Sequence, residues 1–174
     1  MDLLLATAFN EPGKITFYNV VLFVHVASAI VGFGAAFVYP AFFAIGRRAN
    51  QRHLPFFHRV QLWFGPRIIT GGATLILLTG IYLAAEGPYG FDDFFVSAGL
   101  LIVLTLLGLG GAYFSPKERR LLELAERDVE GAGGGEVVLS SEYQTLFAEV
   151  ERVTQTAAGL VLVAVFLMVT KLGA

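Results

Sequence analysis

A single histidine, His25, lies inside the longest uncharged run of the chain, from Ile15 to Gly46. An ionisable side chain within an apolar helix marks a functional position by default, because burying it is costly. Ser28, Gly32 and Ala36 follow at helical spacing, so they share its face and Gly32 leaves a groove beside it. Two chemistries fit. The imidazole can be the axial ligand of a flat porphyrin held over Ser28, Gly32 and Gly34, with haem iron the only metal implied. Alternatively it is a neutral group bonded to a neighbouring carbonyl, Ser or Thr.

The other histidines, His53 and His58, are five apart with Pro55 between them. That spacing misses the four-residue interval of a helical metal pair, and both read as solvated loop residues. A second group of candidates borders the apolar runs: Arg67, Glu149, Glu151 and Arg152. The two arginines read as cations snorkelling to lipid headgroups. The sharper alternative pairs Arg67 with Glu149 or Glu151 as a gate or anion site at the mouth of a bundle. A transport path between helices would be lined by His25, Thr70, Thr74 and Thr105. No nucleophile–base pair is readable, so no catalytic residue is assigned and an enzymatic reading rests on a bound cofactor.

The elements that must position these residues follow from composition. The chain has 174 residues, 56% hydrophobic and 15% charged, whereas soluble domains carry about a quarter charged residues. It has no Cys and a net charge of −2. This excludes disulfides and thiolate metal sites, and gives no basic face for nucleic acid. A bilayer core takes about 20 apolar residues in a helix. Four runs qualify: 15–46, 68–85, 94–114 and 153–170. None alternates as a β-barrel strand would. The expected fold is all-α, an integral membrane four-helix bundle occupying one domain, 1–174.

Ten of the twelve Lys and Arg residues lie in or beside two loops, about 47–66 and 116–152; only Lys14 and Lys171 fall on the other side. Basic loops stay in the cytoplasm, so both termini are expected outside the cell, with the protein in the inner (plasma) membrane. Ser115-Pro116-Lys117-Glu118 reads as a capping box that starts a separate charged helix to about Asp128. Residues 131–135, GAGGG, read as a flexible linker. Ser141 and Gln144 read as a second capping box, starting the fourth helix near Glu142.

The sequence also repeats. GFGAAFVYP at 32–40 matches GLGGAYFSP at 108–116, and Arg67 aligns with Arg152 ahead of similar apolar runs. This predicts two tandem hairpins in the same orientation, about 15–86 and 92–172. Their stripes of small residues, Ser28/Gly32/Ala36 and Gly108/Ala112, permit close helix packing. The same faces offer a route to self-association or a membrane partner, and so to an accessory or interaction role in the lipid bilayer.

The stretch LFVHVASAIVGFGAAFVYPAFFAIGRR, Leu22 to Arg48, resembles the opening of the bacterial integral membrane family known as domain of unknown function 2269, which implies four spans over the whole chain. More remotely, its His, small residues and Gly pair are similar to the first span of copper-resistance D domains and of haem-dependent membrane protoporphyrinogen oxidases. That resemblance implies a metal or haem ligand at His25. With no Cys and only Met1 and Met168, haem b is the cofactor it leaves, with a haem-dependent oxidoreductase as the matching enzyme class.

The absence of Cys makes the orientation directly testable. A cysteine at Leu172 (Leu172→Cys) is expected to react with a membrane-impermeant maleimide in intact spheroplasts. One at Gly134 (Gly134→Cys) is expected to react only after permeabilisation. The reverse pattern inverts the topology.

Overall fold

The computed structural model describes residues 15–174; Lys14 and the side chain of Ala36 lie outside the described residues. Four long helices dominate: α1 Phe17–Arg48, α2 Gln51–Glu86, α3 Phe94–Gly131 and α4 Ser141–Thr170. Each is long and apolar enough to cross a membrane. Thr16 caps α1 by accepting from Asn19 N at 3.2 Å while Asn19 Oδ1 accepts from Thr16 N. At the far end Lys171 adopts a left-handed conformation, φ 51°, and stops α4.

Three helices contain a wide π turn: Ala29–Phe33 in α1, Gly65–Thr70 in α2 and Leu109–Phe114 in α3. Proline explains two of them. Pro66 lies inside one turn and Pro116 stands two residues after the end of another; a ring nitrogen without a proton breaks the i→i−4 ladder, and a π turn absorbs the break without ending the helix. α4 has no proline and runs without interruption. The hairpins therefore differ here: the α4 position aligned with Pro66 is Glu151.

This continuity corrects two expected boundaries. Ser115 does not start a separate helix, because the turns before it already supply partners for the backbone. Its hydroxyl instead donates to the Gly110 carbonyl at 3.1 Å. The basic segment before Arg67 is likewise helical, forming the first half of α2. The fourth helix is capped one residue earlier than expected: Ser140 Oγ accepts from Tyr143 N, and Gln144 turns back to the Leu139 carbonyl.

At 36 and 38 residues, α2 and α3 are about 54–57 Å long. They overreach a hydrocarbon core of roughly 30 Å, and two zones result. In the apolar zone α1 packs on α2 and α3 on α4. Most large side chains there, such as Phe23 and Leu101, are exposed to the surroundings, as lipid contact requires. Beyond it, at the basic end, the helix extensions form a compact cap. Leu54 of α2, Leu121, Leu124 and Ala125 of α3, and Tyr143 of α4 are almost completely buried there with Phe43 of α1. Val137 and Leu139, just after the glycine-rich turn, are buried in the same core. The turn is thus the lead-in to a docked strap, not a free linker.

Gly32 and Gly72 set the approach of α1 and α2. A Cβ at Gly72 would lie 2.8 Å from Gly32 Cα, whereas one at Gly71 has nothing nearer than 4.0 Å. Gly72→Ala is expected to lower stability by about 1–3 kcal/mol by overpacking. Gly71→Ala, one residue away, should be neutral or slightly stabilising through helix propensity. Thermal unfolding in mild detergent distinguishes them.

Candidate functional site

His25 projects from α1 against α2, and Gly80 provides the room: a Cβ there would lie 3.2 Å from His25 Cε1. Its Nδ1 is 2.9 Å from Thr79 Oγ1. The Thr79 hydroxyl has one proton, which it donates back to the Leu75 carbonyl. The hydroxyl can therefore only accept from the imidazole, so the proton is assigned to Nδ1 and Nε2 keeps its lone pair. Second-side bonding of this kind fixes the ring orientation of a ligating histidine.

His25 is in the wall of a cavity of about 640 Å³ between the four helices. Its body is apolar, with Phe37, Leu77, Val103 and Met168; Gly34 is also in the wall. At the rim are Tyr18, Tyr89 and Lys171. Lys171 Nζ donates to Tyr89 OH at 3.0 Å and lies over its ring. The floor is an apolar septum that includes Phe33, Leu106 and Val161.

The residues expected beside His25 separate. Gly34 is open, with nothing within 4 Å of a Cβ built on it. Gly32 offers no groove, because a Cβ there would lie 3.1 Å from Gly72 Cα. Ser28 is buried in the same seam, its carbonyl 3.3 Å from a Cβ at Gly72. Ser28 and Gly32 of α1 are thus consumed by α2, while Gly108 and Ala112 of α3 remain exposed. Thr70 borders a smaller cavity below the septum. Thr74 and Thr105 are exposed and donate to the carbonyls of Thr70 and Leu101, each at 2.8 Å. These four polar residues do not line one path.

Arg67 is exposed, stacks 4.8 Å from the Trp63 ring and donates to the Trp63 carbonyl at 3.1 Å. Glu149 instead accepts from Lys117 at 2.9 Å and from Tyr113 at 3.0 Å. Among the described residues no ion pair joins Arg67 to Glu149 or Glu151. Glu151 and Arg152 are both exposed. A cation meets an aromatic face at the edge of the apolar zone, which suits an interface position.

His58 reverses its expected place. It is fully buried, while His53 is exposed. Its Nδ1 lies 2.6 Å from Glu118 Oε1 and its Nε2 lies 2.9 Å from Tyr143 OH. Burial pushes the Tyr143 phenol above its ordinary range, with Arg47 opposing and Glu118 and Asp128 adding to the rise. The phenol stays protonated, so Tyr143 donates to Nε2 and Nδ1 donates to Glu118. One buried chain of hydrogen bonds thus ties α2, α3 and α4. Arg120 surrounds the cap with bonds to Glu142 and Glu123, and its bond holds the Glu142 carboxyl below the usual range with help from Arg127. A signal was present: helical spacing from Leu54 through His58 to Leu62 places His58 on the buried face, although the basic residues around it suggest a loop.

Four apolar helices, a lipid-compatible surface and a water-excluded cap define an integral membrane protein with a four-helix bundle fold. The chain belongs to the family described as "Predicted integral membrane protein (DUF2269)", whose model matches residues 19–172. No curated protein and no solved structure matches the chain significantly.

Tyr143→Phe removes the donor to a buried imidazole nitrogen. Stability is expected to fall by about 1–3 kcal/mol, read as a lower thermal midpoint in detergent. An unchanged midpoint would mean that the chain of hydrogen bonds does not clamp the cap.

Proposed function

We propose that the protein holds a flat, largely apolar cofactor in the cavity beside His25, and that haem b is that cofactor. One observation carries the reading: Thr79 fixes the imidazole with Nδ1 protonated, leaving the Nε2 lone pair available at an apolar cavity of about 640 Å³. That volume falls within the range of about 300–1,000 Å³ usual for cofactor sites. The residues fit the group. His25 would ligate the iron, Phe37, Leu77 and Val103 would pack against the ring, and Lys171 with Tyr89 at the rim would meet the propionates. Bound haem would supply one-electron redox chemistry. With its basic end in the cytoplasm of a plasma-membrane protein, the cavity would open towards the outer leaflet.

The test is a visible spectrum of protein purified in mild detergent from haem-replete cells, reduced minus oxidised. A Soret band is expected in the wild type, absent in His25→Ala and weakened in Thr79→Val. No band in folded wild type, or an unchanged band in His25→Ala, overturns the proposal.

A second reading is supported by the exposed Gly108, Gly111 and Ala112 on α3. These small residues let another helix approach closely, which suits an accessory role through self-association or a membrane partner.

A further inference from the structure

The two hairpins differ in charge at the basic end. Residues 47–67 carry five arginines and no acid, and no Asp or Glu occurs from Ile15 to Ala85. Residues 115–152 carry nine acids against five cations. That side of the cap is internally paired: Lys117 meets Glu149, while Arg120 and Arg127 meet Glu142. The arginines of the first hairpin lack such partners. Among the described residues only Arg59 pairs with a carboxylate, Glu126, and it does so at the exposed surface, where a pair is worth little.

The packing of α2 decides where these charges point. Leu54 and His58 are buried in the cap, and Phe57 fills the space at Gly46, where a Cβ would lie 2.6 Å from its ring. The opposite face turns outward. Phe56, Arg59, Trp63 and Arg67 follow along it at intervals of three and four residues, all exposed, so cations and aromatics alternate. Further along the same helix Leu75, Leu78 and Ile81 are exposed, and the stripe therefore runs into the surface that meets lipid. Trp63 is one turn, about 6 Å, beyond Arg67. Both fall within a headgroup layer of roughly 5–8 Å, the depth at which tryptophan is enriched.

We propose that this face of α2 binds an acidic phospholipid at the basic end of the bundle. Arg59 and Arg67 attract its phosphate, and Trp63 between them packs against the glycerol and upper acyl chain. A basic patch beside the apolar zone favours anionic headgroups by charge. An acidic soluble protein would match the charge but not the continuity with the lipid-facing surface of α2. The site depends neither on the His25 cavity nor on haem.

Trp63 is the only tryptophan of the chain and reports on its own site. The whole chain is reconstituted in vesicles of equal parts phosphatidylcholine and phosphatidylglycerol, with bromine high on the acyl chain of one lipid at a time. Quenching of Trp63 fluorescence is then compared with unbrominated vesicles. Brominated phosphatidylglycerol should quench more, by a preference of about fivefold, the worth of one arginine near an anionic surface. Removing both charges together, Arg59→Gln with Arg67→Gln, should bring the two lipids level. Arg127→Gln removes a charge on the α3–α4 side and should leave the preference intact. Equal quenching in the wild type overturns the proposal, as does a preference that survives loss of both arginines or disappears in Arg127→Gln. Quenching by neither lipid sets this face against protein or water and overturns it too.

Discussion

Apolar burial does not drive helices together inside lipid, because the lipid tails are as apolar as the side chains. This constraint divides the molecule. In the apolar zone α1 and α2 meet through backbone contact at Gly32 and Gly72, where dispersion between close surfaces replaces the hydrophobic effect. The hydrophobic effect acts fully only beyond the bilayer. There the overreaching ends of α2, α3 and α4 bury Leu54, Leu121, Leu124 and Tyr143. The cap and the glycine contact together hold four helices whose lipid-facing surfaces contribute little to cohesion.

The same constraint governs the polar groups. A backbone carbonyl without a partner in the membrane is expensive, and prolines at 66 and 116 create that problem. The π turns answer it by re-pairing the backbone at a wider pitch, and they leave space beside the helices. The smaller cavity is walled in part by these two turns, and Phe33, Leu106 and Val161 border both it and the larger one. Above lies an imidazole in apolar surroundings; below, Glu118 and a few hydroxyls interrupt a wall that is also largely apolar.

Much of the frame is legible in residue order. Four helices long and apolar enough to cross a membrane follow from uncharged length, and the helical fold from the lack of alternation. The small-residue stripe on α1 was readable as a packing face, and α2 is what it packs against. Other features were not. The capping box at Ser115 is a sound local signal, but a helix already in progress overrides it. His58 sits among Arg52, Arg59 and prolines, a composition typical of solvated loops. Its burial depends on Glu118 and Tyr143, which are 60 and 85 residues away. No local pattern encodes such a meeting.

The sequence by itself therefore determined that this chain crosses a membrane four times as helices. That result depends only on transfer of apolar segments from water to lipid, which is a sum over neighbouring residues. Tertiary structure alone decided which polar groups share a site. Gly32 became a seam rather than a ligand groove because Gly72 reached it first. His25 acquired a defined tautomer because Thr79 lies opposite, and Glu118 became buried because three helix ends converge beyond the bilayer. Each of these depends on pairwise distance between remote residues, and only the folded bundle sets those distances.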